Sequence, residues 1–209
     1  MTEHYLTIPL KDKDIEKLNI NDKVYLSGTI FTARDKAHKF LLDKKEELDL
    51  NGGVLYHCGP VVKKTENNYE IIAAGPTTSA RMDMYETEII EKYKIKAIIG
   101  KGGMGSKTLN ALQKHKSIYL SALGGAAVLA AQSIIKVIKV LKLEEFGVPE
   151  ALWILEVKDF PTIVTMDSKG NSLHDKILEQ SKINYKKLGD NNGMWQMWWK
   201  TRINLLSLW

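Results

Sequence analysis

Two short segments carry the residue types that an anion-binding site needs. The first is Gly100-Lys101-Gly102-Gly103-Met104-Gly105. Consecutive glycines let the backbone approach a ligand, and the N–H groups of a following helix start point at it. Lys101 adds a cation, and the bland alternative is a tight strand-to-helix turn. The second segment, Gly75-Pro-Thr-Thr-Ser-Ala-Arg81, brings three hydroxyls and a guanidinium to another helix start. Arginine in a first turn opposes the helix dipole, so Arg81 either has a task elsewhere or pairs with an acid such as Asp83 or Glu86. Arg34, after Thr32-Ala33, is a third strand-end cation. Guanidinium forks bind carboxylate or phosphate through two parallel hydrogen bonds. Together, Arg34, Arg81 and Lys101 suit a pocket for a small dianion at the carboxyl ends of strands.

Other chemistries fit less well. The glycine loop matches G-x-G-x-x-G, but no acid follows about 20 residues on to hold a ribose hydroxyl. Ser106-Lys107 reverses the order of a phosphate-binding P-loop. A single cysteine, Cys58, excludes an internal disulfide and any iron–sulfur site built from several cysteines of this chain. His57 and Cys58 are neighbours on a strand and face opposite ways, so Cys58 reads as buried core. His4, His38, His115 and His174 lack metal-ligand spacing and read as surface residues, and Trp153 as core.

The chain has 209 residues, with 30 Lys or Arg against 25 Asp or Glu, for a formal charge of +5. Three of the basic residues are arginines (Arg34, Arg81 and Arg202), so most of the positive charge is lysine. Lysines interleaved with acids over 35–47 and 86–96 read as solvated helix faces, not as a nucleic-acid surface. No apolar run reaches the ~20 residues of a membrane span, and the N-terminus shows no secretory pattern. The expected compartment is the cytoplasm.

The elements that must position the cations follow from periodicity. Strands are expected at Lys23–Ile30, at 53–60 and at 69–74, with an amphipathic helix over 35–48. Thr77, Thr78 or Ser79 can cap a helix with Met82, Tyr85, Ile89 and Tyr93 on one face. Lys96–Ile99 is a strand before the glycine loop, and a helix carrying Leu109 and Leu112 leads to the strand 117–121. A small-residue helix is expected over 124–131, a hairpin pair at 152–157 and 162–166 around Asp159-Phe-Pro, and a last helix from Leu173 to Leu188. The tail 190–209 holds four of five tryptophans and Arg202. It reads as expression-vector sequence or as a helix for a partner, and is assigned no function.

Thr32-Ala-Arg-Asp, Tyr56-His-Cys-Gly-Pro, Gly75-Pro-Thr-Thr-Ser-Ala-Arg-Met and Gly100-Lys-Gly-Gly-Met-Gly resemble the β subunit, or C-terminal domain, of class I fumarate hydratases and L-tartrate dehydratases. Glu150-Ala-Leu-Trp, Asp159-Phe-Pro and Asp167-Ser-Lys-Gly-Asn match the same pattern, and the resemblance runs in order from residue 5 to 188. It implies an α/β fold, a swivelling β/β/α domain with a mixed central sheet flanked by helices, over residues 1–189. It implies a hydro-lyase interconverting (S)-malate and fumarate, with L-tartrate dehydration as the near alternative. The same resemblance implies a [4Fe–4S] cluster held by a separate α subunit, in a heterodimer or heterotetramer, whose open iron acts on the departing hydroxyl. Arg34, Arg81, Lys101, Gly102 and Gly103 would bind substrate, and Thr77 would exchange the C3 proton. Chemistry alone does not separate Thr77 from Thr78. A competing reading from a different class is a stand-alone module that binds a dicarboxylate or nucleotide.

Overall fold

A computed structural model describes residues 1–43, 48–66, 68–122 and 125–190. The chain divides into two units, Met1–Leu173 and His174–Trp209. The first begins with β1 (Glu3–Thr7), α1 (Asp12–Glu16), β2 (Lys23–Thr32), α2 (Asp35–Asp43) and β3 (Val54–Tyr56). A small antiparallel pair, β4 (Val61–Lys64) and β5 (Tyr69–Ala73), precedes a 3-10 turn (Ser79–Arg81) and α3 (Asp83–Tyr93). Then come β6 (Ala97–Gly100), α4 (Ser106–His115), β7 (Ile118–Ser121), α5 (Ala127–Gln132) and β8 (Ile134–Leu141). The short α6 (Leu143–Phe146) and the long β9 (Leu152–Met166) complete it. The last described element is α7 (Leu173–Asp190), one helix.

The main sheet is mixed, in the order β1-β2-β3-β6-β7-β9-β8. Strands β1, β2, β3, β6 and β7 run parallel, and β9 runs antiparallel to β7, β8 and β2. The β2–β9 pairing closes β2, β3, β6, β7 and β9 into a ring. Alternation along the strands then makes two cores. Val54 and Tyr56, Ala97 and Ile99, and Ile118 and Leu120 belong to one cluster with Val24, Leu26, Ile30, Val157 and Trp153. The intervening Leu55, Ile98 and Tyr119 pack with Ala37, Leu41, Met82, Ile89, Ile90 and Leu112 of the covering helices. Near-continuous apolar runs in β3, β6 and β7 reflect burial on both faces. The expected mixed sheet flanked by helices is therefore present.

Five elements differ from the sequence expectation. The helix read over 35–48 is helical from Asp35 to Asp43; 44–47 lie outside the described residues, and Leu48 is not helical. The helix placed from 77–79 onward starts only at Asp83, after the 3-10 turn. Arg81 thus precedes the helix, and Asp83 and Glu86 fill the first turn as its dipole prefers. The small-residue helix is shorter, Ala127–Gln132, and β8 follows it at Ile134–Leu141, a strand the periodicity left unread.

The hairpin expected around Asp159-Phe-Pro is instead one strand of 15 residues. Asp159 takes a left-handed φ of 50°, and its N–H donates to Ser27 Oγ at 3.0 Å. The register slips between Leu26 and Gly28 on the partner strand. The turn signal is absorbed as a bulge because β2 pairs with β9 on both sides of it. The last helix begins at Leu173, as expected, and reaches Asp190. The rest of the Trp-rich tail, 191–209, lies outside the described residues. No described helix is long and apolar enough to cross a membrane.

Candidate functional site

Parallel strands bring their carboxyl ends to one edge of the sheet. β2 ends just before Arg34, β3 just before His57, and β6 at Gly100. The Arg34 side chain is half-buried. Its Nη2 lies 3.2 Å from Glu150 Oε1, and its Nη1 donates to the Pro149 carbonyl at 3.5 Å. The other oxygen of Glu150 accepts the Lys36 N–H at 3.0 Å, so one carboxylate holds the arginine and the start of α2 together. Arg34 lies across Gly59, where an added Cβ would come within 2.8 Å of Nη1, so that glycine is required by close approach. Arg34 Nε is buried without a hydrogen-bond partner.

Arg81 reaches back to α2. Its Nε and Nη2 donate to Asp35 Oδ1 at 3.4 Å and Oδ2 at 3.1 Å. Nη2 also donates to Thr77 Oγ1 at 3.1 Å. Its acid partner is therefore Asp35, not Asp83 or Glu86. Burial alone would lift the Asp35 carboxyl, but the hydrogen bond and charge of Arg81, with Arg34 beyond, hold it below its ordinary value. Thr77 is fixed from behind, since its N–H donates to the His57 carbonyl at 2.7 Å. Thr78 opens the 3-10 turn and its side chain makes no capping bond.

The glycine loop is stitched to this turn. Thr78 and Lys101 form a parallel bridge, and the Ser79 N–H donates to the Lys101 carbonyl at 3.0 Å. Gly102 and Gly103 have φ of 83° and 73°, a left-handed path that side chains rarely adopt. Lys101 is exposed and has no acid partner among the described residues. The geometry thus brings the segments of Thr77, Arg81, Lys101, Gly102 and Gly103 together, with Arg34 joined to them through its neighbour Asp35. Both arginines are already clamped by carboxylates, so the edge is less positive than three free cations would make it.

The expectation of an anion cradle at the glycine loop fails. The N-terminus of α4 is not an open anion cradle, because Asp83 occupies it. Asp83 Oδ1 accepts the Gly105 N–H at 2.8 Å and the Thr108 hydroxyl at 2.7 Å. A carboxylate from α3 thus stands where a nucleotide phosphate would, which argues further against a dinucleotide site. Replacing Asp83 by alanine is expected to destabilise the protein by about 1–2 kcal/mol, the usual cost of losing such a cap. Urea unfolding measures this; an unchanged midpoint would show that the cap contributes nothing.

Sequence reading missed a buried polar chain behind the cations. His38, expected at the surface, is fully buried, as are His57, Ser79 and Glu86. Glu86 Oε2 lies 3.2 Å from His38 Nε2 and 3.1 Å from His57 Nε2. His57 Nδ1 lies 2.8 Å from Ser79 Oγ, itself 2.8 Å from the Tyr119 hydroxyl. His38 Nδ1 lies 2.8 Å from the Arg34 carbonyl. Burial alone would raise the Glu86 carboxyl, but the two histidines hold it down, to about 2. Burial holds His57 below its ordinary value, against the opposing pull of the Glu86 charge and hydrogen bond. Gly100 makes room for this chain: a Cβ there would fall 1.9 Å from Ser79 Oγ. The signal was available, since Glu86 lies one turn after Met82 on the apolar face of α3, and His38 beside Ala37 on that of α2.

The fumarase C-terminus family model matches residues 3–177. A Geobacillus stearothermophilus protein provisionally named fumarate hydratase class I is 50% identical over 177 residues, covering 84% of this chain but 34% of that protein. The chain thus spans about a third of that relative's length. The L(+)-tartrate dehydratase subunit beta of Escherichia coli is 41% identical over 181 residues, covering 85% of this chain and 88% of that protein. A Methanocaldococcus jannaschii protein provisionally named as the same subunit is 44% identical, covering 88% of this chain and 96% of that protein. These matches span the first unit, where every cation of the candidate site lies, and on them the chain belongs to the fumarase C-terminus family.

Proposed function

We propose that the chain is the β subunit of a hydro-lyase that interconverts (S)-malate and fumarate, and that it supplies the carboxylate-binding cations and the proton-transfer residue. The observation that carries this reading is the Arg81 Nη2 contact to Thr77 Oγ1 at 3.1 Å. A free threonine hydroxyl is a poor base. A guanidinium donating to its oxygen stabilises the alkoxide, which is how a weak nucleophile or base is activated. Removing a proton from C3 of malate places negative charge on the adjacent carboxylate. Fixed donors aimed at that charge form the largest expected catalytic contribution. Lys101, without an acid partner among the described residues, and Arg81 Nη1, not engaged with Asp35, are the donors available to the two carboxylates, and Arg34 adds its charge from beside them.

An iron–sulfur cluster does not fit this chain's own residues. Cys58 is its one cysteine and is fully buried in the core. Burial pushes its thiol up to about 12, against the thiolate that iron requires. In this reading the cluster belongs to an α subunit, and every step assigned here is carried by this chain's own groups. Dehydration of L-tartrate is the second reading, favoured by the relatives that bear that name.

The test is anaerobic co-purification with the cognate cysteine-bearing α subunit, followed by assay of malate, tartrate and methylated analogues. Malate dehydration by the complex and not by either chain alone is the expected result. Preferred turnover of tartrate would transfer the site to the second reading. No turnover of any C4 hydroxy acid, together with tight nucleotide binding by the chain, would establish the binding module instead.

A further inference from the structure

The buried chain of polar groups ends at each of the three segments that bear the cations. His38 Nδ1 takes the Arg34 carbonyl at 2.8 Å. Ser79 sits inside the 3-10 turn that carries Arg81, and its N–H is bonded to Lys101 at 3.0 Å. Tyr119, bonded to Ser79, also receives a hydrogen bond from the backbone of Gly103. One assignment of protons satisfies these contacts. The Gly103 N–H donates to Tyr119, the Tyr119 hydroxyl to Ser79, the Ser79 hydroxyl to His57 Nδ1, and His57 Nε2–H to Glu86. His38 donates to Glu86 from one nitrogen and to the Arg34 carbonyl from the other.

Stability alone does not account for this arrangement. Buried ion pairs are often no more stabilising than apolar side chains of the same volume. Glu86 Oε1 is buried with no partner, a further cost. The ligand atoms of His38, His57 and Glu86 all lie within 4.8 Å of one another, which admits a metal. Yet both Nε2 atoms meet the same carboxylate oxygen, at 3.2 and 3.1 Å, which are hydrogen-bond lengths.

We infer that Glu86, with His38 and His57, is the positioning centre of the substrate site, holding the Arg34, Thr77–Arg81 and Lys101–Gly103 segments in one register through a continuous buried hydrogen-bond chain. The inference rests on the functional reading above only for its kinetic consequence. The three segments come from separate stretches of the chain, and a misplacement of about 1 Å among groups that must act together can cost a hundredfold in rate. Glu86→Gln preserves shape but removes the charge that accepts both imidazole N–H groups.

Three measurements test this. In the assembled enzyme, Glu86→Gln is expected to raise KM for malate roughly ten- to a hundredfold while lowering kcat, because the displaced cations bind both ground and transition state. Ser79→Ala, a smaller deletion that guards against misfolding of the first variant, is expected to shift KM in the same direction by less. Loss of kcat in proportion to lost folded protein, with KM unchanged in both variants, would reduce the chain to a structural role and overturn the inference. In the isolated chain, backbone amide resonances report register without any assay. Glu86→Gln is expected to shift those of Arg34–Lys36, Thr77–Arg81 and Gly102–Gly103 together. Shifts confined to α3 would overturn the inference even if the wild-type complex is active, and concerted shifts would sustain it even if no C4 acid is turned over. Stoichiometric zinc in the purified wild type, lost in Glu86→Gln, would also overturn it, since a metal would then organise the cluster.

Discussion

Lysine at position 81 is expected to lower turnover of the assembled enzyme by about a hundredfold or more, the range seen when one preorganised donor is lost. Charge is retained in this variant, so the effect isolates geometry. Arg81 makes three contacts with two groups, reaching both oxygens of Asp35 and the hydroxyl of Thr77. An ammonium is a compact point charge and cannot span that fork. It can keep Asp35 or Thr77, not both. Losing Thr77 withdraws the donor that stabilises its alkoxide, and losing Asp35 unties the 3-10 turn from α2. Steady-state kinetics on malate measures the loss, and a rate within twofold of wild type would remove Arg81 from the chemistry.

The sequence made the cations legible and their restraints illegible. Arg34 and Lys101 stand out because each closely follows a strand, and Arg81 because it shares a turn with three hydroxyl residues, a local pattern. Asp35, Glu150 and Asp83 act across long separations: Arg81 meets an acid 46 positions away, and Glu150 bonds Lys36 at a separation of 114. No local periodicity encodes such pairs. The same holds for the fold. Apolar runs announce β3, β6 and β7, while β9 is one strand only because β2 pairs with it along both halves. Asp159-Phe160-Pro161 carries turn chemistry that tertiary pairing overrides. His38 and Glu86 were hidden by a rule that is usually sound, that lone histidines and acids lie at the surface. They break it on the apolar faces of α2 and α3, as functional or positioning groups tend to do.

Thr77 is proposed to transfer the C3 proton. Arg81 is bonded to Thr77 Oγ1, while the Thr78 side chain makes no capping contact. Alanine at 77 removes the oxygen and leaves every cation in place, so binding of the dicarboxylate is expected to persist. Rate enhancements from a positioned base are typically 10²–10⁴-fold, so the variant's exchange should fall by at least that order. Alanine at 78 is expected to retain exchange within a few-fold, on the scale set by that same enhancement.

Deuterium incorporation at C3 of (S)-malate from heavy water, followed by NMR with the complete complex, measures this step apart from loss of the hydroxyl. Rapid stereospecific exchange is expected of the wild type, none above background of Thr77→Ala, and near-normal exchange of Thr78→Ala. Exchange retained by Thr77→Ala in an intact, substrate-binding complex would contradict it and place the base on another group.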